Sequence, residues 1–85
     1  MTVIEMLIYR CHMELKCKYH DSKKKISSDK LWDETNKLYG KYLQSAKIEL
    51  ENNTTKYEKW LSKYGKEKTL HIIGIEQIKK DYNRE

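Results

Sequence analysis

Thr69-Leu70-His71-Ile72-Ile73-Gly74-Ile75 is the stretch that decides the fold class of this chain. It is short and rich in β-branched residues, which suits a strand. Ile75, Ile78 and Tyr82 instead keep the spacing of a helix face. A lone strand needs a partner, and the only other candidate is Thr2–Ile8, which belongs to a helical pattern of its own. The stretch is therefore expected to be helical, with a bend at Gly74. The fold that follows is all-α, a small bundle of three to four helices occupying residues 1–85 as one domain. The alternative is an α+β fold with the two terminal segments paired as strands.

Upstream, residues 2–20 read as a helix that Thr2 could cap. Ile4, Leu7, Ile8, Cys11, Leu15 and Tyr19 share one face at the 3.6-residue period. Met6, Tyr9, Met13, Cys17 and His20 form a softer stripe opposite, with Glu5, Arg10, Glu14 and Lys16 on the flanks. A helix apolar on two faces is usually sandwiched between partners, so it is expected at the centre of the bundle, or with one stripe against another chain.

Residues 21–28 are a polar connection containing Lys23, Lys24 and Lys25, whose mutual repulsion suits a loop. Ser28 or Asp29 is the expected cap of a second helix over residues 30–51. Its apolar arc is Leu31, Trp32, Thr35, Leu38, Tyr39, Tyr42, Leu43, Ala46 and Leu50, the clearest amphipathic pattern in the chain. Asn52 and Asn53 break it. Thr55 and Glu58 have the spacing of a capping box for a third helix over residues 56–64, which Gly65 would stop. At nine residues that helix spans roughly 14 Å, so it is expected to cover only part of the Met6–His20 stripe.

The chain has 85 residues, 38% hydrophobic and 36% charged, with a formal net charge of +5. The apolar share is too high for a disordered chain. The longest apolar run is Met6–Tyr9, so no membrane-spanning helix is expected. Glu5 near the start, with no basic residue before it, argues against a secretory signal. Lys, Ile, Asn, Tyr and Met together make up 38 of the 85 residues, and Gly, Ala, Arg and Pro only 6. These are the residues of AT-rich codons, and they point to an AT-rich genome such as a low-GC bacterium, its phage or its plasmids. Cys11 and Cys17 are the only cysteines and sit about 120° apart on a helix, so they do not bridge each other. The expected compartment is the reducing cytoplasm.

No catalytic motif stands out. Cys11, His12, Cys17 and His20 lie within ten residues, but the spacing fits no common zinc pattern, and the first two leave the face of the others. Cys17, His20 and Asp21 lack the turn that presents a nucleophile. Gly40, Gly65 and Gly74 are isolated, so there is no phosphate loop or dinucleotide fingerprint. No enzyme activity, metal, cofactor or small-molecule substrate is expected.

Charge is more informative. Residues 23–30 carry +3 and residues 51–68 carry +2, and the remaining segments are neutral. Lys56, Lys59, Lys63 and Lys66 recur at helical spacing beside Trp60 and Tyr64. Such a stripe can follow a phosphate backbone, with aromatics for stacking. Reading of base edges favours Arg, and only Arg10 and Arg84 are present.

The functional expectation is a small non-enzymatic binding protein, a regulator or inhibitor of phage or mobile-element type. It would dock a helical face, the Met6, Tyr9, Met13, Cys17 and His20 stripe, onto a protein partner or a second copy. The alternative is a nucleic-acid backbone binder using Lys23, Lys24, Lys25, Lys56, Lys59, Lys63 and Lys66.

Overall fold

Thr2 opens the first helix as expected. Its hydroxyl accepts from the backbone N–H of Glu5 at 3.2 Å and donates to the Glu5 carboxylate at 3.1 Å. In the computed structural model, which describes residues 2–82, that helix is α1 (Val3–Ser22). It ends at Lys23, in the left-handed region at φ 58°. The second helix, α2 (Ser28–Asn52), is capped by Ser27, one residue ahead of the expected Ser28 or Asp29. Ser27 wins because its hydroxyl reaches the Lys30 N–H at 3.3 Å while its own backbone stays extended.

The capping box at Thr55 and Glu58 does not form. A 3₁₀ turn occupies Thr54–Tyr57, and α3 is only Glu58–Tyr64. Thr54 donates its hydroxyl back to the Leu50 carbonyl at 3.1 Å, so the chain leaves α2 gradually and no separate helix start is needed. Gly65, at φ 84°, stops α3 as expected. The deciding stretch is helical: α4 (Lys66–Tyr82) runs through it as one continuous helix. The described residues hold four α-helices and no strand, so the fold is all-α.

α1 and α2 form an antiparallel hairpin, and α4 packs against both as well as against α3. The element touching every other helix is thus α4, and α1 is not the central helix. Leu7 and Cys11 of α1 meet Tyr42 of α2 and Ile78 of α4 in one buried cluster. Ala46 and Leu50 of α2 meet Tyr57 and Ile73 in a second, where α2 runs on past α1. Gly74 is buried, and its role is a close approach. A Cβ there would lie 3.0 Å from Leu7 Cδ2, so its lack of a side chain lets α4 settle on α1.

Polar groups also enter the interior. Glu14, expected on a flank, is 2% exposed and bonded to Arg10 Nε at 3.2 Å. His71 is buried between two partners. Its Nδ1–H donates to the Glu67 carbonyl at 2.7 Å, which leaves Nε2 to accept from the Tyr39 hydroxyl at 2.6 Å.

Candidate functional site

The outer face of α1 is the largest departure from ordinary burial. Met6, Tyr9 and Met13 are 46%, 47% and 60% exposed. They succeed one another along one helix face, with His20 exposed and Cys17 half-buried beyond them. Isolated surface apolar residues are normal, but a contiguous row of this size marks contact surfaces. α3 does not cover any part of the row as the sequence reading expected. It packs on the 3₁₀ turn and α4, because Tyr57 is drawn into the Ala46–Leu50–Ile73 cluster and Leu61 packs against it.

The row rests on a rigid base. Leu7, Cys11, Glu14 and Leu15 hold the inner face of α1 against the bundle. Two charged residues border the row and are both exposed, Glu5 and Lys16. On the other border Arg10 is engaged by Glu14. Burial pushes the Cys11 thiol up to about 11, so it stays protonated and unreactive at neutral pH. Cys17 is the thiol that reaches the surface.

Cys11, His12, Cys17 and His20 do not converge. Cys11 lies in the core, while His12 stacks on Trp32 with ring centroids 3.9 Å apart and an interplanar angle of 11°. The Thr35 hydroxyl donates to the Leu31 carbonyl at 2.7 Å, so His12 Nδ1–H is the donor in the 3.2 Å contact with Thr35. Desolvation, aided by the Lys16 charge, lowers the His12 pKa. Among the described residues, no three His, Cys, Asp or Glu side chains are placed to hold a metal ion.

The lysines are divided. Lys23, Lys24 and Lys25 precede α2 and Lys56 follows it, about 37 Å away along a 25-residue helix, whereas Lys66 lines a cleft with Tyr39, Gly40 and Lys47 of its middle part. Lys24 and Lys25 border a cleft with Lys30 and Lys37, and Asp33 and Glu34 in the same cleft offset half of that charge. Nor do Lys56, Lys59, Lys63 and Lys66 follow one helix. Lys56 belongs to the 3₁₀ turn, Lys59 and Lys63 to α3, and Lys66 to α4 beyond the Gly65 break. Folding instead groups Lys56 with Lys79 and Lys80 around a cleft of about 840 Å³ beside Trp60. Segment charge concealed this cluster, since Lys79 and Lys80 lie in a stretch of zero net charge. Arg84 lies outside the described residues.

No protein-family model, curated protein or solved structure matches this chain.

Proposed function

We propose that this is a small non-enzymatic binding protein that docks the outer face of α1 onto a protein partner, acting as a regulator or inhibitor. One observation carries the reading: Met6, Tyr9 and Met13 lie exposed in a row on a helix whose inner face is fully packed. Methionine is flexible and polarizable, so a Met–Tyr–Met row adapts to an apolar counterpart, and the tyrosine adds directional hydrogen bonding. No helix among the described residues is long and apolar enough to cross a membrane.

The test is a pair of charge insertions. Met13→Glu keeps the helical circular dichroism and thermal midpoint of the parent, because the site is exposed. Leu7→Glu unfolds the protein, because a carboxylate is then buried without a partner. Photo-methionine at position 13 gives a crosslinked species of fixed mass, and Tyr9→Glu removes it. A Met13→Glu variant that unfolds, or crosslinking unaffected by Tyr9→Glu, would overturn the reading.

A second reading draws on the Lys56, Lys79 and Lys80 cleft beside the 36% exposed Trp60. Here the bound group is a nucleic-acid backbone. Glu49 and Glu76 line the same cleft, which keeps its net charge low. Fluorescence anisotropy with a random single strand at low and high salt tests it. Binding that weakens with salt and is lost on Lys79→Glu/Lys80→Glu supports it, and absence of binding at low salt ends it.

A further inference from the structure

We infer that the occupant of the α1 face is the same face of a second copy, lying antiparallel to the first. This rests on the docking reading above. The row has a spacing that survives reversal. Met6 and Cys17 are eleven residues apart, within about 20° of three full turns, and Tyr9 and Met13 lie between them one turn apart. Two such helices laid head to tail and centred on position 11 place Tyr9 level with Met13 of the second copy, and Met6 within about 1.5 Å, one residue's rise, of the level of its Cys17.

The charges fix the orientation. Glu5 and Lys16 are also eleven residues apart, both exposed, and both on the same border of the row. In the antiparallel arrangement like borders meet, so Glu5 of each copy faces Lys16 of the other, giving two symmetric ion pairs. In a parallel arrangement unlike borders meet, so Glu5 and Lys16 each face the border that carries Arg10, and the two Glu5–Lys16 pairs are not formed. A second antiparallel register, centred on Met13, would leave Glu5 and Lys16 about 7.5 Å out of step and form neither pair. Flanking charges of this kind select partner and orientation in helix pairs. Arg10 does not oppose the favoured register, because buried Glu14 already neutralises it.

The contact is small. Residues 6–17 extend about 18 Å along the helix. One helix face falls short of the roughly 800 Å² per partner of a standard interface. The dimer is therefore weak and reversible, assembling in the micromolar range.

Sedimentation equilibrium on the full chain, from micromolar to millimolar, tests the inference. The parent dimerises. Glu5→Lys and Lys16→Glu, each alone, weaken the dimer about tenfold, since each turns two attractions into two repulsions. An equimolar mixture of the two variants restores association, because each complements the other, and the double variant restores it within one chain. Met6→Cys forms an intermolecular disulfide with Cys17 on air oxidation, while the parent does not join Cys17 to Cys17. A parent chain that stays monomeric at millimolar concentration overturns this inference and leaves docking to a foreign protein standing. A dimer that persists in Met13→Glu overturns both. A dimer indifferent to the charge exchange, or crosslinked through Cys17 alone, overturns the antiparallel pairing.

Discussion

Gly74→Ala should change sign with its neighbour. Alanine in a helix interior is ordinarily better than glycine by about 0.5–1 kcal/mol. At position 74 the new methyl would come within 3.0 Å of Leu7 Cδ2 and 3.5 Å of Leu7 Cδ1. Leu7 is 0% exposed and enclosed by Cys11, Tyr42 and Ile78, so it has little room to retreat. Overpacking of this kind costs about 1–3 kcal/mol, more than the helix preference returns. The variant should be less stable than the parent by roughly 0.5–2 kcal/mol, lowering the thermal midpoint by several degrees for a domain of this size.

Leu7→Ala alone opens a cavity and costs about 2–5 kcal/mol. In that background both clashing methyls are gone, and the nearest remaining atom, the Tyr42 carbonyl oxygen, is 3.8 Å away, an ordinary contact. Gly74→Ala should then be stabilising by about 1 kcal/mol. Urea unfolding followed by helical circular dichroism reads all four proteins on one scale, provided the slopes agree. The coupling between the two sites should reach at least 1–2 kcal/mol, typical of residues in direct contact. If Gly74→Ala stabilises the parent by the full helix increment, Leu7 yields freely, and the claim that glycine permits the α1–α4 approach is refuted.

Alkali should unfold the protein through buried acids held neutral. Burial raises the Cys11 thiol from 9.0 to about 11 and the Tyr57 hydroxyl from 10.0 to about 12, and raises Tyr42 further. Their stabilisation is complete below the unfolded values and lost as the pH rises towards the folded ones. For Cys11 that loss is about 2 kcal/mol near pH 10.5, and Cys11→Ala should show a smaller drop between pH 8 and that point. His12 has the opposite sense. Its pKa is lowered, so its contribution is present above 6.5 and is lost as the pH falls below it. Tyr39→Phe should cost about 1–3 kcal/mol by leaving the Nε2 of buried His71 without a donor. Adding His71→Leu should cost less than the two single changes summed, as thermal melts of the four proteins would show. Ser27→Ala should cost about 1 kcal/mol and Ser28→Ala much less, which places the α2 cap by denaturation.

The helices were legible because the evidence for them is local. Thr2, the Leu31–Leu50 arc and Gly65 each act within a turn of their own position, and each is where the reading put it. The deciding stretch was harder. Its β-branched residues favour a strand locally, and contacts with two other helices settle the matter, since Ile73 and Ile78 are buried on α4 only if the segment is helical. Gly74 read as a hinge because its neighbour Leu7 lies 67 positions away in sequence. The lysines were misplaced for a related reason. Spacing along one helix places residues relative to each other only while the helix lasts, and Gly65 ends it between Lys63 and Lys66. Glu14 falls on a flank of the helical wheel, and nothing in the pattern shows that half-buried Arg10 neutralises it where the bundle buries it.

The absence of phenylalanine says why α1 can leave one face open and still be held firmly. The chain has seven tyrosines and no Phe, so every large aromatic of this class that enters the core brings a hydroxyl. A buried hydroxyl needs a partner, and each partner fixes where one helix stands on another. Tyr19 of α1 donates to Glu34 of α2 at 2.6 Å. Tyr42 of α2 donates to Asp81 of α4 at 2.7 Å, and Tyr39 reaches His71. Tyr57 of the 3₁₀ turn donates to Glu49 of α2 at 2.7 Å. Apolar contact alone tolerates sliding, whereas these pairs specify one register for each junction they span. Of these bonds Tyr19–Glu34 holds α1 directly, and the others fix the α2–α4 frame on which the Leu7 and Cys11 face of α1 packs, so none of them involves the outer face. Changes at Met6, Tyr9 or Met13 should leave those bonds untouched, which is what allows the docking surface to be altered separately from the fold.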